Sequence, residues 1–193
     1  MIESVFEIDR NILFFIQNNL RFEWLTPIMK FITGLGDHGY LWIALCIIMI
    51  IVSKTRYMGI TSFISLAINY IITNLIIKNA VGRTRPYEVI KGLKLLIEKQ
   101  DDYSFPSGHS ASAFAVVAVM FYLTYIAKIY KDRDEEKFIK ILTDVSVICA
   151  FIIAYTRLYV AVHYPSDVVA GTVIGIIVGF LTAGVGEKIR RRN

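Results

Sequence analysis

The chain of 193 residues is 55% hydrophobic with only four prolines, which excludes a disordered chain and suggests one domain. Its mean hydropathy of +0.56 points to the bilayer. The net charge of +5 is spread over several loops, so nucleic-acid binding is not expected; attraction to anionic lipid headgroups or substrates is the better use of it.

Residues 1–36 carry apolar side chains at helical spacing (Val5, Ile8, Ile12, Phe15, Ile16, Leu20) among Glu3, Glu7, Asp9, Arg10, Arg21, Glu23 and Lys30. No stretch here is long and clean enough to cross a membrane. It reads as one or two amphipathic helices lying in the interface, with Trp24 as an anchor and Pro27 opening the second helix. The competing reading is a poor additional span. Glu3 and Glu7 stand where a secretory signal needs basic residues, so no signal peptide is expected. Gly34-Leu-Gly-Asp-His-Gly39 is a turn ahead of the first span.

Five spans are expected. Residues 57–77 and 168–186 carry no charge, and 109–127 has only His109 at its start; each approaches the ~20 residues that cross the hydrocarbon. Residues 39–52 form a shorter run, and 141–156 carries Asp144 near one end. Cys46 and Cys149 lie inside these runs and read as small buried hydrophobes, and three histidines with two scattered cysteines offer no zinc spacing. The fold class is therefore all-α. Residues 37–193 form a polytopic membrane helix bundle, and residues 1–36 are its interfacial helices, within a single domain.

Lys54 and Arg56 follow the first span, Lys128, Lys131, Arg133, Lys137 and Lys140 the third, and Lys188, Arg190, Arg191 and Arg192 the fifth. The positive-inside rule places these segments, including the C-terminus, in the cytoplasm. Residues 78–108 and 157–167 then share the extracytoplasmic side of the cell membrane. Lys78, Arg83, Arg85, Lys91, Lys94 and Lys99 in the longer loop run against the rule. The conflict eases if some of them are kept for a ligand.

The unusual polar residues sit at that end. In Thr156-Arg-Leu-Tyr-Val-Ala-Val-His-Tyr-Pro-Ser-Asp167, Pro165 suits the first position of a helix. Asp167 then falls in the first turn, where a carboxylate is stabilised and can reach back to His163. A histidine near neutral pH can act as nucleophile or proton carrier, and Arg157 adds a fork suited to phosphate or carboxylate. Pro106, Ser107 and Gly108 lead into an apolar run like a helix N-terminus, whose exposed amides bind anions, with His109 in its first turn. Lys78 and Arg85 are seven residues apart, so two helical turns would set them on one face. The bland alternatives are an interfacial turn and snorkelling cations. Together the clusters supply what phosphoryl transfer needs: cations and amides to hold the equatorial oxygens while nucleophile and leaving group lie in line.

These residues resemble the motifs of the type 2 phosphatidic acid phosphatase superfamily of membrane lipid phosphatases, related to soluble bacterial acid phosphatases and vanadium haloperoxidases. Lys78, Arg85 and Pro86 match the first motif. Pro106, Ser107, Gly108 and His109 match the second, and Arg157, His163 and Asp167 the third, with Thr156 standing where the family has serine. The resemblance implies that His163 attacks phosphorus to form a phosphohistidine. Asp167 would fix its tautomer, and His109 would protonate the leaving oxygen and then activate water. It further implies that Lys78, Arg85, Ser107, Gly108 and Arg157 hold the phosphoryl oxygens, and that neither metal nor other cofactor takes part. For Arg83 two readings stand, assistance at the site and, the favoured one, a mainly solvated role.

The motif contexts look most like undecaprenyl-diphosphate phosphatases, implying a membrane lipid phosphate as substrate. A phosphatidylglycerophosphate or phosphatidate phosphatase is the close alternative, since the motifs read the phosphate and not the tail. A serine hydrolase built on Ser107 would leave three cations unexplained. A transporter or non-catalytic lipid-binding protein remains a different class, because intramembrane ionisable residues often line pathways.

Overall fold

The computed structural model describes residues 2–130 and 132–192; Lys131, one of the charges used to set topology, lies outside the described residues. Every regular element among them is helical. The helices are α1 (Ile2–Asn19), α2 (Thr26–Leu35), α3 (Tyr40–Ile51), α4 (Arg56–Tyr70), α5 (Pro86–Val89), α6 (Gly108–Phe121), α7 (Arg133–Tyr159) and α8 (Pro165–Arg190). Helix α4 runs on through a π-helical stretch, Ile71–Ile77, into Lys78–Val81. Helix α6 likewise runs on through Tyr122–Ile126.

Among the described residues, four helical segments are long and apolar enough to cross a membrane: Arg56–Val89, Gly108–Ile126, Arg133–Tyr159 and Pro165–Arg190. The first expected span, 39–52, is long enough only if Thr26–Leu35 and Asp37–Ile51 are taken as one, across a 48° bend. The expected boundary between interfacial helices and bundle at residue 36 therefore falls inside a bent helix pair. Pro27 does open α2. Helix α7 starts earlier than its apolar run, because Asp132 caps it by accepting from the amides of Asp134 and Glu135.

Around an apolar core that includes Trp42, Phe114, Met120 and Ile153, the bundle turns many large apolar residues outward. Ile47, Ile48, Phe63, Ile64, Leu75, Ile148, Phe151, Ile177 and Leu181 are exposed, while Ser62, Ser65, Asn69, Thr73 and Thr143 are buried. Lipid favours hydrocarbon outside, and Ser65, Thr73 and Thr143 are bonded between or within helices. Ser65, for example, donates to the carbonyl of Ala115 at 3.0 Å.

Helix α6 is the axis, buried along nearly its whole length and packed most extensively on α8. Gly171, Gly175 and Gly179 of α8 face it. A Cβ on Gly171 would lie 2.5 Å from the Ser107 carbonyl oxygen, and one on Gly175 2.4 Å from that of Ala111. The two backbones touch because these positions carry no side chain, the small-residue packing of membrane helices.

Two ends are thereby defined. At one, Lys54 pairs with Glu135 at 2.8 Å, and Arg190 lies 5.6 Å from the centre of the Tyr57 ring. At the other, Gly82 (φ 60°) ends the α4 extension in the left-handed conformation and sends residues 83–85 back over the bundle. Helix α1 lies on this second end: Leu13 packs with Ile90, Leu93, Ala161 and Tyr164, and Ile16 with Tyr159, Val160 and Val162. Its Val5, Ile8, Ile12 and Phe15 remain exposed, as an amphipathic interfacial helix requires.

Candidate active site

The second end holds the residues singled out in the sequence. Lys78 and Arg85 are buried, and both bind one carboxylate, that of Asp102: the Lys78 Nζ pairs with Oδ2 and the Arg85 Nη2 with Oδ1. Arg85 also donates from Nε to the Asp102 carbonyl at 2.9 Å and from Nη1 to the Val162 carbonyl at 2.7 Å. Burial would raise the pKa of Asp102, but hydrogen bonds and charge from Lys78 and Arg85 prevail and bring it down to about 2.

The Arg85 Nη1 lies 3.5 Å from the His163 Nε2. The ring of His163 is buried. Its pKa is pushed well below the ordinary value by that burial, and further by the charges of Arg85, Arg157 and Lys78. The imidazole is therefore neutral at neutral pH, with an unshared pair on one nitrogen. Arg157 closes the last turn of α7 and donates from Nη1 to the Thr33 hydroxyl at 2.6 Å, while its buried Nε makes no hydrogen bond.

Ser107 caps α6: its Oγ accepts from the Ser110 amide at 3.4 Å and lies 3.0 Å from the Ser110 hydroxyl. Its own amide donates to the Asp167 carbonyl at 3.1 Å, joining the starts of α6 and α8. Gly108 begins the helix and approaches Asn74, whose Oδ1 would lie 3.0 Å from an added Cβ. His109 follows, with Nε2 3.0 Å from Oδ1 of Asp37.

Asp167 sits in the first turn of α8, and its Oδ2 is 3.5 Å from the His163 Nδ1. That contact is not a hydrogen bond, and among the described residues Nδ1 has no hydrogen-bond partner. The carboxylate is instead held by the Arg83 Nη1 at 2.6 Å, the Ser104 hydroxyl at 2.5 Å and the Tyr164 amide at 2.9 Å.

Arg83 corrects an expectation. It is not mainly solvated; besides Asp167 it binds Asp9 of α1 from Nη2 at 2.9 Å, and its guanidinium lies 3.8 Å from the centre of the Tyr164 ring. Asp9 in turn accepts from the Ser166 amide at 2.9 Å and hydroxyl at 2.5 Å. Sequence reasoning passed over Asp9, Thr33, Asp37, Ser104 and Asp102. Asp9 carried one usable signal, a carboxylate on an amphipathic helix four residues before the apolar Leu13 that the helix buries.

All eight expected site residues thus gather at one end of a helical bundle with a lipid-facing exterior. Such a fold and site define a multi-pass membrane protein that gathers the buried cations Lys78, Arg85 and Arg157 around a neutral histidine. The chain belongs to the PAP2 superfamily, whose family model matches residues 58–191, and it is a membrane phosphatase of that family. It is 33% identical over 173 residues to the undecaprenyl-diphosphatase of Sulfolobus acidocaldarius, covering 90% of this chain and 76% of that one. With the undecaprenyl-diphosphatase BcrC of Bacillus subtilis it shares 34% identity over 170 residues, 86% of this chain and 77% of the relative. The crystal structure of a transmembrane PAP2-type phosphatidylglycerolphosphate phosphatase from Bacillus subtilis superposes with a TM-score of 0.69 at 25% identity, covering 98% of each chain. The region matched by the family model starts in α4, so Asp9, Thr33 and Asp37 reach the site from helices outside it.

Proposed function

We propose that this phosphatase removes the terminal phosphate of an isoprenoid lipid diphosphate, undecaprenyl diphosphate, at the extracytoplasmic face of the membrane. The observation that carries the chemistry is the neutral, buried His163 with Nε2 turned toward Arg85. In this reading Nε2 attacks phosphorus as the bond to the leaving oxygen breaks, and His109 gives that oxygen a proton. Water then attacks the phosphohistidine, giving a proton to His109, and the N–P bond breaks to free phosphate. Lys78, Arg85, Arg157, Ser107 and the Gly108 amide hold the equatorial oxygens, where charge develops in the transition state. Asp167, held by Arg83, Ser104 and Tyr164, compensates the charge His163 acquires. For phosphate to bind, the carboxylate of Asp102 must give up its place between Lys78 and Arg85.

The substrate reading is supported by the two undecaprenyl-diphosphatase relatives. The phosphatidylglycerolphosphate phosphatase of like fold favours a second reading, a phosphatidylglycerophosphate or phosphatidate phosphatase. The facing of the site is supported by the basic segments, which the Lys54–Glu135 pair and the Arg190–Tyr57 contact gather at the opposite end.

Purified protein offered undecaprenyl diphosphate, phosphatidylglycerophosphate and phosphatidate side by side tests both. The expected order puts the diphosphate first in kcat/KM; faster turnover of either glycerolipid establishes the second reading. His163→Ala is expected to abolish phosphate release, and a variant that retains it removes the phosphohistidine route.

A further inference from the structure

The turn Gly34-Leu-Gly-Asp-His-Gly39, unremarkable in sequence, is folded around His109. His38 and Gly39 adopt positive φ (51° and 74°), and the bend they make sets Asp37 3.0 Å from the His109 Nε2. Gly36 makes room for the ring: a Cβ there would lie 2.5 Å from its Cδ2, 3.2 Å from Nε2 and 3.3 Å from Ile153. The backbone of Gly36 is ordinary (φ −84°), so the position needs a missing side chain for the sake of the histidine and not for its own conformation. The same bent pair supplies Thr33 to Arg157 at 2.6 Å. The charged groups facing the ring are thus Asp37 from the bend and Arg157 from α7.

We propose that Asp37 is the positioning residue for His109, accepting its Nε2 proton and assigning Nδ1 to the reaction. The proposal rests on the reading in which His109 carries the proton. The cycle starts with the ring protonated on both nitrogens beside the bound phosphate dianion; in the first half-reaction Nδ1 gives its proton to the leaving oxygen as the P–O bond breaks and the N–P bond to His163 forms. In the second, Nδ1 takes a proton from water as the water oxygen bonds to phosphorus and the N–P bond breaks. The Nε2 proton stays between His109 and Asp37 throughout, and the carboxylate compensates the ring's charge while it is protonated.

The side chain of Asp37 is 49% exposed, and Asp37→Asn is isosteric. The test compares leaving groups. Phosphatidate expels diacylglycerol, an alkoxide that needs a proton, whereas p-nitrophenyl phosphate expels a stable phenolate. Asp37→Asn is expected to lower kcat on phosphatidate about 10- to 100-fold, part of the ~10²–10⁴ that positioned proton transfer contributes. The burst of p-nitrophenolate, which reads the first chemical step alone, is expected to lose far less. Gly36→Ala should show the same split by displacing the ring, and Asp37→Glu should recover part of the phosphatidate rate. Equal losses on both substrates, or none on either, with wild-type protein active, would overturn the role of Asp37 and leave the hydrolytic reading standing. Wild-type protein that releases no phosphate, or His163→Ala that releases it normally, would overturn that reading and the role of Asp37 with it.

Discussion

Arg83 grips Asp167 at 2.6 Å with one guanidinium nitrogen and Asp9 at 2.9 Å with the other, so a single side chain fastens the interfacial helix α1 to the first turn of α8. Both carboxylates are buried, and neither is tolerable there without a partner.

Arg83→Ala is therefore expected to cost stability and rate together. Leaving two buried carboxylates short of a cation should destabilise by about 3 kcal/mol, the low end for breaking a buried ion pair. The loosened Asp167 should also lower kcat by roughly tenfold or more, about 1.4 kcal/mol of transition-state stabilisation. Arg83→Lys keeps the charge but has one nitrogen where the fork has two, so it should regain stability more than rate. Melting in detergent and turnover on the lipid diphosphate check this. An alanine variant with wild-type values for both would mean the bridge is incidental.

Asp102 fills the position between Lys78 and Arg85 with its own carboxylate, a competitor for any anion that binds there. Its pKa lies at about 2, below the ordinary 3.8. The stabilisation from these ion pairs is thus present above about pH 4 and is lost only as pH falls toward 2. Asp102 remains an anion over the whole assay range. Asp102→Asn is expected to strengthen competitive inhibition by vanadate or inorganic phosphate about tenfold, the scale of one charge-assisted hydrogen bond. An unchanged inhibition constant would mean that Asp102 and the ligand do not share a place.

The neutral state of His163 has a pH signature. An unfolded chain protonates this imidazole near its ordinary pKa of about 6.5, while the folded protein does so only at a much lower pH. The unfolded state binds more protons in that interval, so stability rises with pH there, and this contribution is complete above about pH 6.5. Melting temperatures followed from about pH 7 down to pH 5 should fall more steeply for wild type than for His163→Gln. Parallel curves would show that His163 titrates normally in the folded protein.

The three motif clusters were legible because each places cations or a histidine at the edge of an apolar run, where the bilayer leaves such groups few other uses. Asp167 was legible because Pro165 fixes where its helix begins. Arg83 and Asp9 were not: they are 74 residues apart, and Arg83 lies 84 residues from Asp167. Each reads as a solvated charge until the fold pairs them. Asp37 was hidden in the same way, inside a turn whose glycines suggested only a change of direction. The bent α2–α3 pair escaped because residues 39–52 read as a short span by themselves and α2 as an interfacial helix, although only the two together are long enough to cross.

The glycines of α8 were also passed over, since a glycine in an apolar run costs helix stability and gives no sign of what it touches. Gly175→Ala would set a methyl 2.4 Å from the Ala111 carbonyl oxygen and 2.9 Å from the Ala115 amide nitrogen. These are backbone atoms that cannot rotate aside, so α6 and α8 must separate, at about 1–3 kcal/mol for an overpacked contact. Gly171→Ala meets the Ser107 carbonyl and should act on function as well, because that carbonyl lies at the end of α6 that carries Gly108 and His109. A raised KM for lipid phosphate is the expected sign. Gly184, on the same helix, meets nothing closer than the Tyr122 hydroxyl at 3.7 Å. Gly184→Ala should leave KM alone and raise stability by up to ~1 kcal/mol, since alanine is the better helix former. Thermal melting and KM for the three variants separate close packing from propensity: if Gly175→Ala is as stable as Gly184→Ala, the two helices are not held together by backbone contact.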